Sequence, residues 1–259
     1  MELAILSTME TVAHCRLLGS EHRVTFRART WGLVPGEIIV VKPGKQWTYG
    51  RTAYVSGEIE STRLDVAALE LAPLRLKDRG LWEPAGHGWG ESDEPLDDLA
   101  RAMIAWGPRR EYEMEQVLPG TKPGGYSDPI CDSNDLKAAG DYVGARSMLM
   151  ELCRADLRCL DAHNHLGNLL LDRLPAEAIR HYEVGVRIAE LSLGERFDGL
   201  LPWGMIDNRP FLRCLRGFGL CKRRLGKLDE AARVFDRLLW FNPSDNQGVR
   251  FMNGSGSDD

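Results

Sequence analysis

A helix–turn–helix pattern spans residues 212–243, which have the sequence LRCLRGFGLCKRRLGKLDEAARVFDRLLWFNP. Leu215 and Phe218 are three residues apart, which places them on one face of a helix. Gly226 is a typical helix end, and a second apolar series follows it until Pro243 prevents the helix from continuing. The segment therefore predicts two helices joined by a short turn.

Small residues in this segment indicate where the two helices touch. Gly219 on the first helix and Ala231 on the second have little or no side chain, so we expect the helices to cross closely at these positions. Phe235 and Leu238 are large enough to fill the space beside the crossing.

Two further copies of the pattern lie upstream. Gly167 corresponds to Gly219, and Tyr182 corresponds to Phe235. A shorter copy begins at residue 139 with the sequence AGDY. Each helix pair can bury its apolar face only against a neighbouring pair, so three copies predict a stacked helical array.

These spacings resemble the tetratricopeptide repeat, a helix pair with a period of 34 residues. The likeness is clearest in RADLRCLDAHNHLG at residues 154–167 and in a second stretch, which runs from WG at 203–204 and NRPF at 208–211 to its ending NPSDNQG at 242–248. It covers about residues 130–250. The ending of the second stretch is similar to sequences of uncharacterised bacterial repeat proteins. The resemblance implies a helical solenoid that binds a partner and carries no catalytic residues. Lys222 stands where the repeat usually has Tyr.

Short apolar stretches separated by Pro and Gly occupy residues 22–72. Residues 22–31 alternate between apolar and polar side chains, and a β-branched run follows Pro35 and Gly36. Such a pattern predicts short strands in a small antiparallel barrel. The strand Leu33–Val41 and the basic, aromatic hairpin after it look like small OB- and TRAM-type barrels, which implies RNA binding.

The sequence as a whole predicts an α+β protein with a β-barrel-like N-terminal part and a C-terminal helical solenoid. The predicted parts are a small barrel-like domain at residues 1–80, a linker at 81–129 with one amphipathic helix at about 96–106, a tetratricopeptide-type helical domain at 130–252, and a disordered tail at 253–259.

Composition excludes several classes of protein. The net charge of −5 argues against a generally basic protein that coats nucleic acid. No apolar run approaches the ~20 residues of a membrane span, and the start has no basic region before an apolar stretch. The six cysteines form no C-x-x-C pair. These features predict a soluble, cytoplasmic protein with reduced thiols that does not contact a membrane.

Motifs of catalysis and metal binding are absent from the sequence. It has no G-x-S-x-G, H-E-x-x-H or phosphate-binding glycine loop. Cys159, His163, His165 and His181 lie near one another, but their spacing is not that of a zinc site. We therefore expect no enzymatic activity, no metal and no cofactor.

The first helix of each repeat presents one stripe of side chains to the concave groove. Residues 201–250 carry ten Lys and Arg against five acids, and guanidinium groups suit carboxylates. This favours an adaptor or scaffold that holds a peptide or protein partner through an acidic group or a C-terminal carboxylate, with the oligomeric state left open. The predicted partner-binding residues are Arg213, Arg216, Leu220 and Arg223 on one helix, and Asp161, Asn164, Asn168 and Leu171 on the other.

Two further interpretations concern this groove. Trp203 and Phe211, near an insertion at residues 192–208, are candidate exposed anchors for a partner, and packing between repeats would explain them equally well. Residues 83–115 hold nine acids and three bases, so this segment is either a solvated linker or an internal ligand of the basic groove.

Nucleic-acid binding by the barrel is the alternative function. Residues 22–55 carry six bases against one acid, with aromatic residues between them. Cations neutralise phosphates and exposed aromatic rings stack on bases, so exposed aromatic side chains would favour this function and buried ones would remove it. The residues predicted for this site are Arg27, Arg29, Lys42, Lys45, Trp47 and Tyr49.

Overall fold

The computed structural model describes residues 1–84, 98–121, 128–194 and 196–252. The predicted tail at 253–259 and most of the linker between residues 83 and 98 lie outside these ranges. The strands are β1 (Glu2–Met9), β2 (Val12–Leu17), β3 (Arg23–Arg27), β4 (Ile38–Tyr49), β5 (Thr52–Arg63), β6 (Leu76–Trp82) and β7 (Arg109–Met114). The helices are α1 (Asp98–Trp106), α2 (Pro129–Ala138), α3 (Tyr142–Ala155), α4 (Leu160–Leu170), α5 (Pro175–Glu190), α6 (Arg209–Arg224) and α7 (Leu228–Phe241).

The first five strands form a closed barrel in the order β1-β2-β3-β5-β4. The prediction of a purely antiparallel barrel is wrong, because β3 and β5 run parallel from Val24 opposite Ala53 to Arg27 opposite Ser56. After β3 the chain crosses to the far side of β1, where β4 pairs. The hairpin from β4 then brings β5 back beside β3, so every strand of the barrel has a paired strand on each side.

Strand β1 is buried on both faces, which explains its continuous apolar sequence. Leu3 and Ile5 point into the barrel, whereas Ala4 and Leu6 pack against the helical region. A strand without polar alternation gives no period-2 signal, so the alternation that predicts strands at residues 22–72 does not extend to β1.

The C-terminal helices pack in pairs, α2 with α3, α4 with α5, and α6 with α7. Helix α6 ends before Gly226, whose φ of +75° suits a residue without a side chain, and α7 ends before Asn242 and Pro243, as the sequence predicts. No helix of the described residues is long and apolar enough to cross a membrane.

Equivalent glycines make equivalent contacts in two of the pairs. A Cβ on Gly219 would overlap the Phe235 ring of α7, and a Cβ on Gly167 would lie 2.6 Å from Cζ of Tyr182 on α5. The two helix pairs therefore repeat one packing arrangement, which confirms the predicted close crossing at Gly219.

The structure adds strands to the stretch around the predicted boundary at residue 80. Strand β6 pairs with β7, which lies inside the predicted linker, and α1 corresponds to the predicted amphipathic helix. β7 is bridged on its other side by Leu200 of the insertion before α6. Between β5 and β6 there is one short 3-10 helix, Ala67–Leu69.

Candidate functional site

A cavity of about 770 Å³ lies on the predicted concave face, between α4 and α6. Side chains of α2, the segment after β7 and the chain after α7 complete its walls. Arg223, one of the predicted partner-binding residues, is exposed and does not line it. The predicted residues that the structure brings together in this cavity are Asp161, Asn164, Asn168, Leu171, Arg213, Arg216 and Leu220.

Tyr182 forms the floor between the two walls. Its ring is sandwiched between Gly167 of α4 and Gly217 of α6, where any side chain would overlap it. The Tyr182 hydroxyl donates to Oδ1 of Asn168 at 2.7 Å, and burial raises the pKa of this phenol. The close approach of two glycine-bearing helices therefore fixes the position of the polar stripe above Tyr182.

Asp161 is a buried carboxylate at one end of the cavity, with 4% of its surface exposed. Oδ2 accepts a hydrogen bond from Nε2 of Gln116 at 2.6 Å, and Oδ1 lies 3.5 Å from Nη1 of Arg213. Burial raises the pKa of Asp161, while Gln116 and Arg213 act in the opposite direction. The Arg213 guanidinium also lies 5.5 Å from the centre of the Trp203 ring.

Arg216 lies one turn further along α6, and its contacts differ from those of Arg213. Its Nε is buried without a hydrogen-bond acceptor, and no carboxylate of the described residues forms an ion pair with it. Oε1 of Gln247, another residue of the cavity wall, is buried without a hydrogen-bond donor among the described residues, and Oδ1 of Asp161 has only the 3.5 Å contact with Arg213. One donor and one acceptor of the described residues thus remain unpaired beside this cavity.

The titratable groups of the cavity do not form an activated nucleophile. Burial lowers the pKa of His165 to about 4, so the imidazole is neutral at neutral pH. The Cys131 thiol donates to Oδ2 of Asp128 at 3.3 Å, and this carboxylate raises the pKa of the thiol. Reactive thiols have a lowered pKa. In the described ranges no group of three or more His, Cys, Asp or Glu side chains could hold a metal ion.

Two predictions near the cavity have different outcomes. Phe211 is completely buried and packs on Phe241 at a ring distance of 5.7 Å, so its prediction as an exposed anchor is wrong. The reason is that Phe211, in the first turn of α6, lies on the face that meets Phe241 of α7. Trp203 is partly buried and lines the cavity, with the guanidinium groups of Arg209 and Arg213 beside its ring.

No described residue of the acidic segment 83–115 lines the cavity. Glu113 and Glu115 form ion pairs with Arg79 and Arg75, outside the cavity. Gln116, the next residue, supplies the hydrogen bond to Asp161. The contact spans 45 positions of the chain, and no repeat pattern includes residue 116, so sequence reasoning had no signal for it.

A second groove, of about 580 Å³, lies on the outer face of the barrel. Trp47 and Tyr54 face each other across β4 and β5 and stack with ring centres 5.3 Å apart. Tyr49 extends from the same hairpin with 79% of its surface exposed. Arg27 of β3 lines the groove as well, so the groove combines aromatic faces with a cation.

The exposed charges of residues 22–55 are all positive. Glu37, the one acid of this stretch, is buried and paired with Arg180 of α5. Lys45 lies with Nζ 5.6 Å from the Trp47 ring centre. Arg29 and Lys42 are exposed but do not line the groove.

Comparison with known proteins assigns no family to this chain. No protein-family model matches it, and no curated protein has a significant similarity to it. The function therefore has to be inferred from the two grooves.

Proposed function

We propose that the protein is a non-enzymatic adaptor that binds a peptide segment of a partner protein in the cavity between α4 and α6. Arg216 carries this proposal, because its side chain lines the cavity and no carboxylate of the described residues forms an ion pair with its guanidinium. A buried polar group without a partner costs about 1–3 kcal/mol. A carboxylate of the partner would supply the acceptor and form a charge-assisted hydrogen bond.

The walls of the cavity suit an extended peptide. Amide side chains of Asn164 and Asn168 line α4, and those of Gln116 and Gln247 lie outside the two central helices. Amides both donate and accept hydrogen bonds, as a peptide backbone requires. The equivalent glycine–aromatic contacts of the two helix pairs support a tetratricopeptide-type array as the scaffold of this site.

The test is retention of peptides on the immobilised protein. Random hexapeptides with free C-terminal carboxylates compete with the same pool carrying C-terminal amides, and mass spectrometry counts the retained peptides. We expect the free carboxylates to be retained about tenfold or more above the amides, because hydrogen bonds to charged groups contribute about 1.5–3 kcal/mol.

Arg216→Gln should abolish this preference, because it removes the guanidinium of the cavity that no carboxylate of the described residues pairs with. Arg223→Gln is the matched control, since Arg223 is exposed on the same helix outside the cavity. Equal retention of carboxylates and amides by the unchanged protein would refute the proposal.

The barrel groove favours a second candidate function, the binding of single-stranded nucleic acid. The exposed Tyr49 and the stacked pair of Trp47 and Tyr54 are the observation that favours it, because exposed aromatic faces stack on bases. The groove includes β2, β3 and the β4–β5 hairpin, the surface that OB-type barrels use for oligonucleotides.

Fluorescence anisotropy with labelled 12-nucleotide oligo(U) and oligo(dT) tests this second function. Tyr49→Ala should weaken binding about fivefold or more, since stacking contributes about 1–3 kcal/mol per base. Arg27→Ala should remove one contact with a phosphate. The slope of the logarithm of the binding constant against the logarithm of the salt concentration should therefore fall by about 1. Tyr142→Ala, at an exposed tyrosine on α3, should have no effect. Binding that none of these variants changes would exclude the groove.

A further inference from the structure

We propose that Asp161 sets the charge selectivity of the cavity, so that it accepts a single carboxylate with N–H donors beside it and rejects doubly charged groups such as a phosphate. A peptide C-terminus has this chemistry, whereas a phosphorylated side chain does not. The inference rests on the proposed function and specifies which group of the partner enters the cavity.

Charge pairing is the first argument. Two arginines line the cavity, but Arg213 lies 3.5 Å from the Asp161 carboxylate, which balances its charge. Arg216 is left as the cation without an ion-pair partner among the described residues. One free guanidinium balances one negative charge of a ligand, and a second negative charge would remain unbalanced in a partly buried site.

The acceptors of the cavity wall are the second argument. Oε1 of Gln247 is buried without a hydrogen-bond donor among the described residues, and Oδ1 of Asp161 has only Nη1 of Arg213, at 3.5 Å. A ligand that satisfies them has to donate N–H groups, as a peptide backbone does. A phosphate carries ≈ −1.5 to −2 charge at pH 7 and offers mainly acceptor oxygens, which these atoms would repel.

Asp128 adds to the same selectivity. It is the second acid of the cavity wall, and it caps the N-terminus of α2 by accepting from the amides of Ile130 and Cys131 at 2.9 and 3.3 Å. The partial positive charge of the helix end is therefore already compensated. It is not available to a second anionic group of a ligand.

The experiment extends the retention assay with a third pool, hexapeptides with C-terminal amides and one phosphoserine. The unchanged protein should retain the free-carboxylate pool about tenfold or more above the phosphoserine pool. Asp161→Asn keeps the shape of the side chain but removes the charge that pairs with Arg213. Retention of phosphopeptides should therefore rise, and the ratio of retained carboxylate peptides to retained phosphoserine peptides should fall about tenfold.

A second variant tests the same charge balance in the opposite direction. Arg213→Gln leaves the charge of Asp161 uncompensated, so retention of both anionic pools should fall about tenfold. Thermal unfolding of each variant confirms that it is folded. These two variants should thus change anion retention in opposite directions, which loss of a merely structural contact would not produce.

The outcomes separate the two proposals. If the unchanged protein retains carboxylates but Asp161→Asn does not alter the ratio, the selectivity proposal is overturned and the proposed function stands. Equal retention of phosphopeptides by the unchanged protein also overturns it. If the unchanged protein shows no preference for carboxylates over amides, the proposed function fails, and this inference fails with it.

Discussion

At the scale of single residues, burial determines the charge of two histidines in the helical core. His163 on α4 and His181 on α5 are both buried, and the Nδ1 atom of each has no hydrogen-bond partner among the described residues. His163 Nε2 lies 3.0 Å from the carbonyl oxygen of Leu157, which can only accept, so Nε2 carries the proton. Burial lowers the pKa of both imidazoles, that of His163 to about 4.

We therefore predict a loss of stability in mild acid. Below the ordinary histidine pKa of ~6.5 the unfolded chain binds a proton that folded His163 does not bind, so stability falls as the pH drops from about 6.5 towards 4. Between pH 7.5 and 5, urea unfolding should show a loss of about 2 kcal/mol from His163 alone.

Substitution distinguishes this effect from general acid sensitivity. His163→Gln should lower the stability at pH 7.5 and flatten its pH dependence, whereas His22→Gln, at an exposed position, should change neither. An unchanged pH dependence in His163→Gln would show that other groups cause the acid effect.

At the level of whole helices, glycine residues set the distance between paired helices, because glycine has no side chain. The position of Gly219 against Phe235 is repeated by Gly167 against Tyr182, and in both pairs the ring of the second helix occupies the place of a Cβ on the first. Close packing of this kind leaves no free volume for an added methyl group. The close packing of each helix pair therefore depends on the fit of the aromatic ring against the glycine, and not on helix propensity.

Gly219→Ala tests this conclusion. Alanine favours an isolated helix by up to about 1 kcal/mol, yet overpacking against Phe235 should lower the free energy of unfolding by about 1–3 kcal/mol overall. Chemical denaturation measures the change. Gly204→Ala is the control, because a Cβ there would meet no atom within 4 Å. A stability equal to or above that of the unchanged protein would contradict the close crossing.

At the scale of the whole molecule, the barrel and the helices share one interface. Ala4 and Ile38 of the barrel belong to the same apolar cluster as the helices, and Val184 of α5 fills the space beside Gly36. Buried polar contacts join the two parts as well. Arg146 of α3 donates to Oγ1 of Thr8 at 2.7 Å.

The pairing of Arg180 with Glu37 is the polar contact whose loss should cost most. Arg180 Nε donates to Glu37 Oε1 at 2.8 Å, and burial raises the pKa of this carboxyl. Arg180→Met would leave Glu37 buried without a cation, which should lower the stability by about 2–4 kcal/mol at pH 7. Arg173→Met, at an exposed position two residues before α5, should have little effect.

The double variant Arg180→Met, Glu37→Gln completes the test in equilibrium unfolding. Removing the charge of Glu37 should recover part of the loss, because the uncompensated charge causes most of it. If the double variant is less stable than Arg180→Met alone, the ion pair is not what Glu37 contributes to the interface.

Local patterns of the sequence determined the helices and their pairing. The apolar spacing of residues 212–243, the stop at Gly226 and the small residue at Gly219 depend on neighbours within one helix pair, and the structure bears them out. The polar stripe of α4 and α6 was predictable for the same reason. Each of its residues except Arg223 lines the cavity.

Other features depend on contacts between distant parts of the chain, and only the folded structure revealed them. The parallel pairing of β3 with β5, the burial of Phe211 and the place of Gln116 at Asp161 join residues that share no local pattern. The spacing of apolar residues indicates which face of a helix or strand is apolar, but it does not indicate which other element covers that face. The sequence alone therefore predicted the stripe, and only the folded chain showed that Asp161 pairs with Arg213 while Arg216 has no ion-pair partner within the described part of the chain.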